Sequence, residues 1–210
     1  MKSQIKLKHY LMSSVFSLFL MGCSAQKSII PTKENVRSVN REIHFTEGVL
    51  ELNAAEGNGM AILTDVSFQI GTIQLDIKGE NNPGSSFVGI AFNIQNDSTY
   101  EAVYFRPFNF KSPEQNRLEH GIQYIFEPNY PWYRLRNENT GEFEAEFINP
   151  PPPDDWFSIS LTIEKNRVIV KDSSGRLLMQ VKRLSTISSS KIAFWVGNYS
   201  KGSFRNLKIQ

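Results

Sequence analysis

Apolar and polar residues alternate in short segments over most of the chain after residue 42. The clearest segment covers residues 156–165, where Phe, Ile, Leu and Ile alternate with Ser, Ser, Thr and Glu. A period of two is typical of a strand with one buried and one solvated face. Residues 167–171 and 176–182 follow after short turns, which predicts a three-stranded meander. Leu161, in the middle of the clearest strand, is therefore expected in the core.

Further strands are predicted wherever segments rich in Val, Ile, Phe and Tyr are bounded by Gly, Asn, Asp or Pro. They lie near residues 43–46, 49–53, 60–64, 66–78, 86–95, 99–107, 120–126, 190–197 and 202–209. About a dozen strands without a helix-length apolar stripe predict an all-β fold, a two-sheet antiparallel jelly-roll β-sandwich. Residues 42–210 have the length of one domain.

Two segments interrupt this rhythm, residues 107–118 and 127–153, and both are rich in Pro, Asn, Arg and aromatic residues. Residues 150–153 are all proline and predict an extended polyproline segment, whereas residues 130–139 could add a helical turn or two. Long aromatic-rich loops on a rigid sandwich are where binding residues usually lie. We therefore expect the functional site at these loops.

The beginning of the chain has a different pattern. Lys2, Lys6 and Lys8 precede an apolar run over residues 10–21 that only serines interrupt. A run of about a dozen apolar residues is too short to span a bilayer, which needs roughly 20 helical residues. Basic residues before a short apolar run are the layout of a secretion signal.

The residues after this run, Leu20-Met21-Gly22-Cys23, resemble the lipobox of bacterial lipoproteins. The resemblance implies that residues 1–22 are removed and that Cys23, the only cysteine, is acylated and anchors an exported protein to a membrane. Ser24 after the cysteine implies the outer membrane. Residues 23–41 are expected to be the lipidated terminus and a flexible tether, because they are polar and lack sustained periodicity. An ordinary signal peptide with a chance cysteine is the alternative.

Composition narrows the classes of function. Removing residues 1–22 takes away three of the 23 Lys and Arg and none of the 21 Asp and Glu, which leaves 20 against 21. A nearly neutral chain lacks the positive charge that is typical of proteins that bind nucleic acid.

With Cys23 acylated, no thiol remains for a disulfide, and only His44 and His120 remain as histidines. No His-Glu-x-x-His, Gly-x-Ser-x-Gly or nucleotide-binding glycine loop occurs, so we expect neither a metal site nor a cofactor. Calcium binding stays open.

Candidate binding residues cluster around the strand at residues 99–107. Val103 and Phe105 share one face of this strand, and Tyr104 and Arg106 share the other. Sugars are bound by aromatic rings that cover the apolar face of the pyranose and by planar side chains that hydrogen-bond to adjacent hydroxyls. The candidates of these types are Tyr104, Arg106, Asn109, His120, Gln123, Tyr124, Trp132 and Trp195. The alternative is that each is a structural side chain packed beneath a loop.

Four segments from residue 87 onward carry a resemblance to a known superfamily. They are Phe87-Val88-Gly89-Ile90-Ala91-Phe92, residues 100–110, His120-Gly121-Ile122-Gln123-Tyr124-Ile125 and residues 192–198. The chain resembles the concanavalin A-like lectin/glucanase superfamily, in the laminin-G-like branch with the 3-keto-disaccharide hydrolase-like domains of bacterial secreted proteins. The resemblance implies a curved sandwich whose concave sheet and rim loops bind glycans. No Glu-x-Asp-x-x-Glu run is present, so the carboxylate pair of the glucanases does not carry over.

The sequence thus predicts a lipid-anchored carbohydrate-binding protein of the cell envelope. One alternative is a glycoside hydrolase or lyase on the same face, with His120, Glu101 or Glu144 as acid or base. Glu144 alternates with Glu142 and Glu146, which is more often a solvated edge. Another alternative is a laminin-G-like protein-binding module. Arg106→Lys is expected to weaken glycan binding with little effect on folding.

Overall fold

The computed structural model describes residues 25–210, so the predicted signal peptide, Cys23 and Ser24 lie outside the described residues. The early strands are β1 (Lys27–Ser28), β2 (Val36–Val39), β3 (Ile43–Thr46), β4 (Val49–Leu52), β5 (Gly59–Leu63), β6 (Gly71–Lys78), β7 (Val88–Asn96) and β8 (Thr99–Phe105). The later strands are β9 (Ile122–Glu127), β10 (Glu144–Ala145), β11 (Phe157–Ile163), β12 (Arg167–Asp172), β13 (Leu177–Lys182), β14 (Ile192–Val196) and β15 (Gly202–Ile209). A 3-10 helix at Pro107–Asn109 and the helices α1 (Gln115–Leu118) and α2 (Trp132–Glu138) lie in the loops. No helix within residues 25–210 is long and apolar enough to cross a membrane.

The strands form two antiparallel sheets that pack face to face. The first sheet has the order β13-β12-β11-β6-β15-β4-β3, with β1 also paired to β15. The second has the order β10-β9-β8-β7-β14-β5-β2. Rings from both sheets meet between them, for example Phe105 and Phe157 with centroids 5.0 Å apart, and Phe194 and Phe204 at 4.9 Å. The predicted all-β, two-sheet jelly-roll sandwich is confirmed.

The alternating pattern of residues 156–165 produces β11, a central strand of the first sheet. Its four apolar side chains are buried, and the residues between them are exposed or half-buried. Leu161 has no exposed surface and pairs with Ile73 on one side and Val170 on the other. The prediction that Leu161 lies in the core is confirmed, as is the meander β11-β12-β13.

The structure differs from the predicted strands mainly where a strand is short or a turn intervenes. The strand predicted at residues 66–78 begins only at Gly71, whose φ of 138° and close approach to the carbonyl oxygen of Gln210 exclude a side chain.

β1 and β2 lie within the segment for which the sequence predicts a tether, and Ile29 between them is buried. From residue 27 onward the chain is therefore part of the sandwich, because these strands are held by backbone pairing with β15 and β5 and need no apolar periodicity.

Candidate functional site

Cross-strand pairing brings one row of residues together on the outer face of the second sheet. Trp195 pairs with Gly89, Gly89 with Tyr104, Tyr104 with Gln123, and Gln123 with Glu144. Directly opposed residues point to the same face of a sheet, and their neighbours along each strand point to the other. Phe105, next to Tyr104, accordingly packs into the core. The predicted division of β8 into two faces is confirmed.

Two rings of this row, Trp195 and Tyr104, form an aromatic layer. Their centroids lie 5.0 Å apart, over Gly89, where a Cβ atom would come within 2.6 Å of the Tyr104 backbone. The indole N–H of Trp195 donates to the hydroxyl of Tyr100 at 3.1 Å. Both rings are buried, and burial raises the pKa of Tyr104 to about 12. These two predicted binding residues thus form a base that supports the site and offer little surface to a ligand.

Arg106 connects this base to the loops above it. Its Nη2 group donates to the Tyr104 hydroxyl at 2.9 Å and to Oε1 of Gln123 at 3.1 Å. Its Nη1 group donates to the backbone carbonyl of His120 at 2.8 Å and lies 3.4 Å from a carboxylate oxygen of Glu144. The side chain is buried, and its guanidinium carbon is 5.0 Å from the centre of the Tyr104 ring. The terminal groups of Arg106 are therefore occupied by protein partners.

A cavity of about 460 Å³ opens beside Arg106, at the end of the second sheet where β7 and β9 begin and β8 and β14 end. We call it the strand-end pocket. It is lined by Pro83, Gly84, Phe87, Arg106, Phe108, Asn109, Arg117, His120, Trp132, Arg136 and Asn198. The structure thus brings together four of the eight predicted binding residues, which are Arg106, Asn109, His120 and Trp132.

The walls of the strand-end pocket combine rings with planar polar groups. Trp132, on α2, leaves 44% of its surface exposed, and the guanidinium carbon of Arg136 lies 4.9 Å from its ring centre. Phe87 and Phe108 pack edge to face, with centroids 5.6 Å apart. Asn109 is buried, and its amide is 3.4 Å from the carbonyl oxygen of His120. An exposed ring beside amide and guanidinium donors suits a ligand with an apolar face and many hydroxyls.

Glu144 lies beneath the pocket and contacts three of the residues that line it, Arg106, Arg136 and His120. Arg136 donates to it through Nε at 3.0 Å and also through Nη2. The Nε2 atom of His120 is 3.4 Å from the same carboxylate. Burial lowers the pKa of His120, and the charges of Arg136 and Arg106 lower it further, which outweighs the opposite effect of Glu144. The surroundings of His120 therefore favour its neutral imidazole form.

Two predicted site residues, Tyr124 and Glu101, are not at this site, and the reason is strand parity. Tyr124 follows Gln123 directly and so points to the opposite face, into the sandwich. There its hydroxyl donates to Glu101 at 2.5 Å, and Arg183 donates to the same carboxylate at 2.5 and 3.1 Å. Glu101 is completely buried and pairs with Arg183, so it cannot serve as an acid or base at the strand-end pocket.

Glu144 also differs from expectation. The alternation of Glu142, Glu144 and Glu146 favours a solvated edge, and β10 is indeed the last strand of its sheet. Glu142 is exposed, but Glu144 is buried because Arg106 and Arg136 surround it. Among residues 25–210, no three His, Cys, Asp or Glu side chains are grouped as a metal ion would require.

Several residues of the strand-end pocket were missed by the sequence analysis, namely Phe87, Phe108, Arg117 and Arg136. Arg136 had a usable signal, because Trp132 and Arg136 are four residues apart in a segment with helical character and so share one helix face. Phe108 is adjacent to the predicted residue Asn109, whereas Phe87 and Arg117 come from separate segments that no spacing in the sequence connects.

No family model and no curated protein matches the sequence. Solved structures are similar in fold. The carbohydrate-binding module CBM66 from Bacillus subtilis matches with a TM-score of 0.61 at 13% identity, over 84% of this chain and 96% of that one. The exoplasmic/lumenal domain of VIP36, in its Ca²⁺- and Man3GlcNAc-bound form, matches with a TM-score of 0.59 at 10% identity, over 89% and 90%. A native glycosidic hydrolase matches with a TM-score of 0.57 at 8% identity, over 88% and 95%. These likenesses show the fold.

Proposed function

We propose that this protein binds carbohydrate in the strand-end pocket. The observation that carries the proposal is the pairing of an exposed ring, Trp132, with planar hydrogen-bonding side chains at the wall of one cavity. Proteins with the same fold support it, since they include a carbohydrate-binding module and a domain with a bound mannose-containing oligosaccharide. Because sugar recognition depends on ring faces and paired donors, this set of side chains fits it.

Binding is favoured over cleavage by where the carboxylates are. Among the described residues that line the strand-end pocket, none is Asp or Glu. Glu101 is enclosed in the sandwich, and Glu144 is occupied by Arg106 and Arg136. Glycoside cleavage usually needs two carboxyl groups that flank the scissile bond. The hydrolase alternative is left with His120 as its accessible acid or base.

The test is a glycan array on the purified protein, followed by calorimetric titration with the glycan that binds best. Trp132→Ala should weaken binding about tenfold, because a ring contact contributes about 1.5 kcal/mol. Tyr133→Ala is the matched control, since Tyr133 is also exposed and contacts Trp132 edge to face but does not line the pocket. Equal affinity of the Trp132 variant and the parent would contradict the proposal.

Reducing-end release should be measured on the same glycans. Binding without release is the expected result. Release that disappears in His120→Gln, with binding retained, would favour the hydrolase instead.

We also propose that residues 1–22 are a signal peptide and that acyl chains on Cys23 anchor the protein to the outer membrane. The basic residues, the short apolar run and the position of the only cysteine support this proposal. Cys23→Ser should release the protein from the membrane fraction, while Ser24→Ala should not. A Cys23→Ser protein that remains in the membrane fraction and is still cut after Gly22 would contradict it.

A further inference from the structure

The strand-end pocket carries charge of one sign. Three arginines, Arg106, Arg117 and Arg136, line it beside His120, whose neutral form the site favours, and no carboxylate does so among the described residues. The chain after residue 22 is nearly balanced, with 20 basic and 21 acidic residues once the three lysines before it are removed. The cavity on the outer face of the first sheet, by contrast, mixes two aspartates with two lysines. The cationic character is therefore a property of this pocket and not of the surface as a whole.

Nearby carboxylates neutralise only part of this charge. Glu144 provides one negative charge for both Arg106 and Arg136. Arg117 is 3.8 Å from Glu114, and both side chains are exposed, so this pair is screened by water and contributes little. Of the two guanidinium charges that face Glu144, one is therefore left uncompensated by it.

Two of the guanidinium groups retain capacity for a ligand. Arg136 gives Nε and Nη2 to Glu144, and the described residues offer its Nη1 group no acceptor, while 31% of the side chain is exposed. Arg117 has 44% of its side chain exposed. The planar fork of an arginine matches the oxygens of a carboxylate or sulfate, whereas a neutral hydroxyl pair leaves the charge uncompensated.

We infer that the ligand of the strand-end pocket is an acidic saccharide, one that carries a carboxylate or a sulfate ester. Arg117 and Arg136 bind the acidic group, and Trp132 covers the sugar ring. Glu144 fixes Arg136 in place, so the site is organised before the ligand arrives. This inference rests on the proposed carbohydrate function and specifies which class of carbohydrate is bound.

The test compares each acidic oligosaccharide with its own neutral counterpart. An array carries uronic-acid oligosaccharides beside their methyl esters, and sulfated oligosaccharides beside their desulfated forms. The pair with the strongest signal is then titrated by calorimetry at low and high salt. We expect the acidic member to bind about tenfold tighter or more, and the difference to shrink at high salt. The two halves of the array separate a carboxylate from a sulfate.

Arg117→Gln is the decisive variant. The side chain of Arg117 forms an exposed ion pair with Glu114, so folding should not depend on it. Arg167→Gln is its matched control, since Arg167 forms the same i,i+3 pair with a glutamate at a similar exposure but lies on β12, in the other sheet. Arg117→Gln should weaken binding of the acidic member about tenfold and leave the neutral member unchanged. Arg167→Gln should change neither.

Each remaining outcome overturns a distinct statement. If acidic and neutral members bind with equal affinity and Trp132→Ala weakens the binding of both, the inference of an acidic ligand is overturned. The carbohydrate function then stands. Acidic preference that Arg117→Gln and Arg136→Gln both leave intact would overturn the role of these arginines. Absence of binding to any member would overturn the carbohydrate function itself.

Discussion

Arg106 holds the strand-end pocket together by contacting four groups at once. It joins Tyr104 and Gln123 of the sheet to the His120 backbone and the Glu144 carboxylate. The sequence led us to expect that Arg106→Lys would affect binding and spare folding. The contacts change that expectation, because a single ammonium group cannot satisfy partners arranged around a planar fork.

We therefore expect Arg106→Lys to lower the free energy of unfolding by about 1.5 to 3 kcal/mol, the usual cost of losing a buried hydrogen bond to a charged group. Chemical denaturation measures this change. Arg134→Lys is the control, since Arg134 is exposed and pairs with Glu138 on the same helix, so its change should stay below about 1 kcal/mol. Equal stability of the two variants would show that Arg106 does not position the site.

His120 makes the free energy of unfolding depend on pH. Its folded pKa is lowered from an ordinary value near 6.5, chiefly by burial and then by Arg136 and Arg106, while Glu144 and Glu119 act in the opposite direction. Below about pH 6.5 the unfolded chain takes up a proton that the folded protein resists. The free energy of unfolding should therefore fall as the pH decreases from 6.5 to the folded pKa. Chemical denaturation across this pH range measures the change, and His120→Gln should remove this contribution.

At the residue scale, the sequence located the site in part. Alternation along residues 99–107 was enough to place Tyr104 and Arg106 on one face and Phe105 on the other. The same rule applied to β9 excludes Tyr124, which follows Gln123. What the sequence does not contain is the approach of separate loops, which brings Phe87, Arg117 and Arg136 to one cavity.

At the scale of elements, β11 tests the sandwich most directly. Leu161→Ala should lower the free energy of unfolding by about 2 to 5 kcal/mol, because a fully buried leucine leaves a cavity between the sheets. Ser160→Ala is the control, since Ser160 points to the other face of the same strand and is only half-buried. Thermal or chemical unfolding of both variants measures the difference. A Leu161 variant as stable as the control would contradict the assigned strand faces.

The long strands were predictable from the sequence, whereas three short strands, β1, β2 and β10, were not. β11, β12 and β13 carry their burial pattern in their own residues, so periodicity found them. β1 and β10 are two residues long, and β2 is an edge strand with no buried side chain. Their positions depend on backbone hydrogen bonds to β15, β9 and β5, and such bonds leave no mark on side-chain composition.

At the scale of the whole molecule, the sandwich has two different ends. The strand-end pocket lies where β7 begins and β14 ends, and Gly202, the first residue of β15, packs beside Val88 and Val196 at that end. β15 then crosses the first sheet for eight residues, a distance of roughly 26 Å. β1 pairs with its last residues, Lys208 and Ile209. The chain therefore enters the sandwich at the end remote from the pocket.

The position of this entry point determines which end of the sandwich would lie near a membrane. Only three residues lie between Cys23 and Lys27, the first residue of β1, so four Cα–Cα steps join them. Fully extended, they reach roughly 14 Å, which is less than the length of β15. With Cys23 acylated as proposed, the β1 end of the sandwich would lie within about 14 Å of the lipid, and the strand-end pocket would lie at the opposite end of β15. The anchor would then hold the end of the sandwich without the pocket near the headgroups, and would leave the pocket end free to meet saccharides in the surrounding medium.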